Sequence, residues 1–223
     1  MLLALERSAA VASAAVLSDD GRVLGSASEP AGGRGDALPV FRAALAAAGA
    51  APSDLTAFAV GVGPGSFSGV RSALALAFGL ALPAGVPVRG VSSAAAAVRA
   101  WRRAHPAARP LRLLGDARRG HVWCFDEPAD FRSLAHTAAD LRLLASRPDA
   151  EGGLPPLSDA LAGDRDLLVA DPARLAPLLS GAAFSPAAAT AEDVAALFLE
   201  GCFGPPDPVY VHPAVVGRTV SDV

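Results

Sequence analysis

Apolar and polar positions in the first 28 residues form three hydrophobic stretches, 2–5, 11–17 and 22–28, with Asp19-Asp20-Gly21 between the last two. Asp-Gly between two such runs is a hairpin signal, so a three-stranded meander is predicted. A Pro/Gly-rich segment, 30–35, follows. Asp36 is then placed to cap a helix with apolar positions Leu38, Phe41, Leu45 and Ala48, ended by Gly49. Residues 57–61 read as a buried strand running through a Gly-Pro-Gly turn into a helix over 68–82, stopped by Pro83 and Gly85. A strand over 86–91 and a helix capped by Ser92 or Ser93 and reaching Arg103 complete the half, which closes at His105-Pro106.

The second half repeats this grammar loosely. Strands are predicted over 111–115 and 121–125, a further short strand near 131–134, and a helix over 138–145 capped by Thr137. A Pro/Gly-rich loop at 151–156 precedes a strand at 167–170 and helices at 172–179 and 191–198, the last opened by Thr190 with Asp193 in a capping box. Strands alternating with helices in both halves predict an α/β arrangement used twice, an N-terminal lobe of 1–104 and a smaller C-terminal lobe of 105–223 around a cleft.

Composition narrows the chemistry. The chain of 223 residues is 52% hydrophobic, enough for a sizeable core. It contains no Lys, Asn, Gln or Ile, so a Schiff-base amine, a P-loop lysine and a Ser-Lys dyad are excluded. Cys124 and Cys202 stand far apart and are expected as buried thiols. No uninterrupted apolar run approaches the roughly 20 residues of a membrane span, and Glu6-Arg7 interrupts the opening stretch too early for a signal sequence. An intracellular protein with no membrane segment is expected. The net charge of −3 argues against a dedicated nucleic-acid surface. Arg99, Arg102, Arg103, Arg109 and Arg112 form a local exception, open to reading as a solvated helix face or as an RNA contact.

The stretch Gly63-Pro64-Gly65-Ser66-Phe67-Ser68-Gly69-Val70-Arg71 lies where a strand gives way to a helix. Glycines there permit a tight turn with outward amides, and the helix start adds partial positive charge. Gly63, Gly65, Ser66, Ser68, Gly69 and Arg71 are therefore candidate anion contacts, with a purely structural turn as the alternative. The spacing matches neither a P-loop, a dinucleotide fingerprint nor a nucleophile elbow.

This stretch, with Gly79-Leu80-Ala81, Gly90-Val91-Ser92-Ser93, Asp116-Ala117-Arg118-Arg119-Gly120-His121-Val122-Trp123 and Pro208-Val209-Tyr210-Val211-His212-Pro213, resembles the signature of the TsaB family. The resemblance implies two RNase-H-like lobes of the actin/Hsp70/sugar-kinase (ASKHA) superfamily. It also implies a non-catalytic subunit that binds a TsaD-like catalytic subunit and works with a TsaE-like ATPase in placing threonylcarbamoyl on tRNA. The tRNA is then met only through the complex, and the isolated subunit pairs with itself as a homodimer. No cofactor and no metal are expected. The His-x-x-x-His pair of the TsaD relatives has no counterpart among His105, His121, His136 and His212. Glu6-Arg7-Ser8 replaces the family's Asp-Thr-Ser, and Gly33-Arg34-Gly35-Asp36 its His-Ser-Glu. A cation at Arg7, where a nucleotide's metal would sit, weighs against independent ATP hydrolysis.

The helix over 68–82 is apolar all round, which calls for cover on both sides. The resemblance implies that it and the first helix form the docking surface. Phe41, Leu45, Val70, Ala73, Leu74, Ala77 and Phe78 are the expected interface residues, with a helix sandwiched in its own core as the alternative. Two competing functions are a free-standing ASKHA-type ATPase or kinase, and a glycoprotease.

Overall fold

The computed structural model describes residues 1–30, 37–146, 154–179 and 181–211. The first sheet is built from β1 (Leu2–Glu6), β2 (Val11–Leu17), β3 (Val23–Pro30), β4 (Ala57–Gly61) and β5 (Val88–Val91), in the order β3-β2-β1-β4-β5. β1, β2 and β3 form an antiparallel meander, while β1, β4 and β5 run parallel. The second sheet contains β6 (Leu111–Arg118), β7 (His121–Asp126), β8 (Arg142–Ala145), β9 (Asp166–Val169) and β10 (Ser185–Pro186). Its order, β10-β9-β6-β7-β8, is the same pattern again: a meander from β6 to β8, with β9 and β10 parallel to β6. The molecule is thus a mixed α/β protein whose two sheets repeat one RNase-H-like plan, as the ASKHA resemblance implies.

Alternation along the central strands sorts side chains into layers. Leu3 and Leu5 of β1 share a core with Val40, Phe41 and Leu45 of α1 (Leu38–Ala48) and with Val70, Ala73, Leu74 and Ala77 of α2 (Phe67–Ala81). Leu2 and Ala4 face the other way, toward α3 (Ser93–Ala104) and α6 (Ala191–Leu199). Leu111, Leu113, Trp123 and Phe125 of the second sheet enter that same central core, so α3 and α6 are shared between the sheets. Leu114, Val122 and Cys124 point outward to α4 (Leu157–Leu161) and α5 (Pro172–Leu175). Although α6 lies late in the chain, it packs against β1, β2 and β4 of the first sheet. Ser13 Oγ on β2 accepts the Ala191 N–H at its start, at 2.8 Å.

Most predicted elements lie close to the observed ones, and the differences have local causes. The N-cap of α1 is Ala37, with no side-chain cap bond, and Asp36 lies outside the described residues. Residues 131–133 form a single 3-10 turn rather than a strand, with Asp130 accepting from Arg132 N–H. The helix expected over 138–145 is one 3-10 turn, Ala138–Asp140, followed by β8. Asp140 caps Thr137 and Ala135 and ends the turn, after which Leu144 is drawn into the ladder opposite Val122. The helix expected over 172–179 is α5 with a 3-10 turn after it, while α4 and the two-residue β10 had no distinct periodic signal. Both cysteines are buried and free.

Candidate functional site

The Gly-rich turn joins β4 to α2 at the end of the first sheet where β1 also ends. Glu6, the last residue of β1, turns toward α3 and is fully buried. Its Oε2 accepts from Ser93 Oγ at 2.7 Å and its Oε1 from the Ser8 N–H at 2.5 Å. Ser93 Oγ in turn accepts from Gly63 N–H at 3.1 Å, and Ser93 N–H donates to Gly63 O at 2.9 Å. Burial raises the Glu6 carboxyl above the ordinary carboxylate range, against the pull of the Ser8 and Ser93 hydrogen bonds. On the preceding residue, Ser92 N–H donates to His136 Nδ1 at 3.0 Å, which leaves the ring proton on Nε2. Burial lowers that imidazole's pKa, so His136 is held neutral.

The glycines of the turn make room for the chain beside them. A Cβ at Gly61 would overlap the Glu6 carboxylate, one at Gly65 the Ser8 backbone, and one at Gly69 the Arg7 carbonyl oxygen. Gly63 and Gly65 also have positive φ, on either side of the cis Gly63–Pro64 bond. Ser66 N–H donates to Ser8 O at 2.7 Å, and Ser66 Oγ accepts from Gly69 N–H at 3.2 Å as the cap of α2. The amides of Gly63, Ser66 and Gly69 are thereby committed within the chain. Of the six candidate anion contacts, Gly65, Ser66 and Gly69 gather on Arg7–Ser8, while Gly63 is held by Ser93. Ser68 is exposed at the first turn of α2. Arg71 belongs to a different group: its Nε donates to Tyr210 Oη at 2.9 Å, and its guanidinium lies 4.2 Å from the Phe67 ring centroid. Phe67 and Tyr210 are themselves 5.3 Å apart, ring to ring.

Of the seven residues expected at a partner interface, Phe41, Leu45, Val70, Ala73, Leu74 and Ala77 are buried in this chain's own core. The open face of α2 is displaced around the helix: Phe67, Arg71, Ala75, Phe78, Gly79 and, just beyond its end, Leu82. Phe67 is 57% exposed, Phe78 46% and Leu82 84%. An all-round apolar helix does not reveal which side its sheet will take, and six of the seven expected residues lie on the side this sheet covers. On α1 the open positions are Pro39, Arg42, Ala43, Ala46 and Ala47. The stretch Phe67–Ala84 also has the length and mean hydropathy, 1.4 over 18 residues, of a membrane span, but its inner face packs on β1, β4 and β5. Tyr210 was missed as a surface residue, since only its place in the C-terminal motif marked it.

The arginine-rich stretch is neutralised internally. Arg99 and Arg103 on α3 both pair with Glu200, and Arg102 pairs with Glu127 at 2.6 Å. Arg109 meets Asp164 and Asp166, and Arg112 meets Asp126 at 2.6 Å. Burial opposes but does not outweigh these cations, and Asp126, Glu127 and Glu200 are left below the ordinary carboxylate range. The pairs join α3 to the second sheet and to the end of α6. Among the described residues no three His, Cys, Asp or Glu side chains come together as a metal site. His105 stacks on Trp101, with ring centroids 3.8 Å apart, and His212 lies outside the described residues.

Residues 35–151, just over half of the chain, match the family described as TsaD: tRNA N6-adenosine threonylcarbamoyltransferase. The chain belongs to this family. Within it, the chain is similar to the tRNA threonylcarbamoyladenosine biosynthesis protein TsaB of Escherichia coli (strain K12), at 39% identity over 100 residues. That alignment spans 44% of this chain and 42% of the relative, less than half of either length. The fold is similar over nearly the whole chain to YeaZ from Pseudomonas aeruginosa, with TM-score 0.65 and 28% identity over 94% of this chain and 98% of that one. A second solved structure, of a protein described as similar to peptidase YEAZ from Pseudomonas aeruginosa, gives TM-score 0.63 and 28% identity over 95% and 99% of the two chains. The expected resemblance to TsaB within the TsaD family is thus borne out, and the glycines at 61, 65 and 69 leave room here for residues 6–8.

Proposed function

We propose that this chain is a non-catalytic scaffold subunit that binds and activates a TsaD-like catalytic subunit for threonylcarbamoyl transfer to the adenosine next to the anticodon in tRNA. It works with a TsaE-like ATPase in the cytoplasm. The N-terminal lobe, 1–104, carries the docking helices, and bond-making belongs to the partner. The observation that carries this reading is the open face of α2, where Phe67, Phe78 and Leu82 are exposed along one stripe with Ala75 and Gly79 between them.

Gly79 sharpens the point. It sits inside a helix, where Gly costs about 0.8–1 kcal/mol relative to Ala. A Cβ there would meet nothing within 4 Å, so the isolated chain gains no packing from its absence. A small residue flanked by exposed large apolar ones is what close approach of a partner helix requires. The relatives' names supply the pathway, threonylcarbamoyladenosine formation in tRNA. Internal pairing of the α3 arginines favours tRNA contact through the complex rather than through this chain.

In this reading the same face pairs two copies when the partner is absent. Ala75 is exposed at the middle of the stripe, so Ala75→Arg leaves the fold intact and separates the copies. Sedimentation velocity tests it: the wild type sediments as a dimer and the variant as a monomer. A dimer that survives Ala75→Arg removes α2 from the interface.

A further inference from the structure

Arg71 stands on the open stripe of α2 between Phe67 and Ala75, and two distant parts of the chain hold it there. Its Nε donates to Tyr210 Oη at 2.9 Å, and its guanidinium carbon lies 4.2 Å from the Phe67 ring centroid and 5.8 Å from that of Tyr210. Tyr210 arrives by way of the backbone: Gly204 bridges to Gly90 on β5, and Val209 N–H donates to Val62 O at 2.8 Å just past β4. Nε is thus engaged, while neither Nη group has a hydrogen-bond acceptor among the described residues. An exposed arginine ordinarily samples many rotamers, and a partner must then arrest it at a cost in entropy. Here the aromatic pair already restrains it and leaves the fork end of the guanidinium unused.

The charge on this face is one-sided. Elsewhere the chain matches its own cations: Arg99, Arg102, Arg103, Arg109 and Arg112 each meet a carboxylate. Helices α1 and α2 contain one arginine each, Arg42 and Arg71, both exposed, and no Asp or Glu. Neither arginine has an ion-pair partner among the described residues. Arg71 is bordered by exposed Phe67 and, further along the stripe, by Phe78 and Leu82, so a surface laid on α2 removes water from it. A guanidinium covered in that way requires a carboxylate, which its planar fork takes in a bidentate pair.

We infer that Arg71 determines which surface docks on α2, by pairing with a carboxylate of the TsaD-like subunit and by setting two copies of this chain against each other. The inference rests on the docking reading above and adds the chemistry of the contact. In a two-fold pair the same patch meets itself, so Arg42 and Arg71 of one copy face helices that carry cations and no acid. A partner with an acidic residue opposite Arg71 gains where a second copy loses, which is discrimination by repulsion as well as by attraction. A nucleic-acid phosphate fits the position less well, since phosphate-binding surfaces cluster many cations and this stripe is apolar around one.

Calorimetric titration of the TsaD-like protein from the same cell, free of tRNA, with the wild type, Arg71→Met and Phe78→Arg tests it, alongside sedimentation velocity of each chain alone. Arg71→Met is expected to bind the partner about tenfold more weakly and to lose most of the salt dependence of that binding. Alone, it is expected to self-associate at least as tightly as the wild type. Arg71→Lys keeps the charge but not the fork, so its binding is expected to stay salt-dependent with an affinity between the two. Wild-type affinity in Arg71→Met, or a parallel loss of partner binding and self-association, overturns the inference. A loss that appears only once tRNA is added also overturns it and assigns Arg71 to a phosphate. The docking reading fails separately: equal binding by Phe78→Arg and the wild type removes the face and the inference with it. Loss in Phe78→Arg with full affinity in Arg71→Met keeps the face and removes only the carboxylate.

Discussion

Glu6, Gly61 and Ser93 form one buried unit, and each constrains the others. Gly61→Ala pushes a methyl group into the Glu6 carboxylate and is expected to cost about 2–3 kcal/mol in urea denaturation. The pH dependence of Glu6 has a definite sign. Its folded pKa is raised above the unfolded value of 4.5, so the folded state holds the proton more tightly. The stability it contributes is present below 4.5 and is lost as pH rises through the folded value. His136 has the opposite sign, because its lowered pKa removes stability as pH falls below the unfolded value of 6.5. Glu6→Gln deletes only the first effect, so its stability relative to the wild type is expected to rise between pH 4 and 8. A flat difference would mean that Glu6 keeps its ordinary pKa. The turn at 63–69 was legible in the sequence from its glycines, but its purpose was not. Gly61, Gly65 and Gly69 answer to residues 6–8, more than fifty positions away, and no local pattern encodes that contact.

At the scale of elements, α2 carries the sharpest expectation. Gly79→Ala is expected to raise the stability of the isolated chain by about 0.5–1 kcal/mol and yet weaken partner binding, because Ala favours the helix but holds a second helix off. Chemical denaturation and a binding titration on the same variant check both halves. The ion pairs around the second sheet divide by burial in a similar way. Arg112 is largely buried, bridges Asp126 and also donates to Ala160 O at 2.8 Å, so Arg112→Ala is expected to cost about 2–3 kcal/mol. Arg109 pairs at the exposed surface, and Arg109→Ala is expected to cost under about 1 kcal/mol. Helices with a cap and a stop, such as α2 and α6, were readable to within a residue or two. Residues 138–145 were not, since the Thr137–Asp140 box signals a helix start whether one turn follows or three. Pairing with the edge of β7 decided the outcome.

Across the whole molecule, strand and helix alternation was enough to foresee two similar α/β halves, and the two sheets do repeat one strand order. Alternation could not show that α6, from the second half, would cover the first sheet, because helix placement depends on which apolar faces remain open once both sheets exist. The same limit governed the residues expected at an interface. Phe41, Leu45 and Val70 were legible as apolar helix positions, but only the packed lobe leaves Phe67, Phe78 and Leu82 outside. The central claim is that this outer face of α2 docks the catalytic subunit. Calorimetric titration of the TsaD-like protein from the same cell with the wild type and with Phe78→Arg tests it most directly. A loss of binding of at least tenfold in Phe78→Arg, with an unchanged unfolding midpoint, is the predicted result, and equal affinity for both proteins would contradict the account.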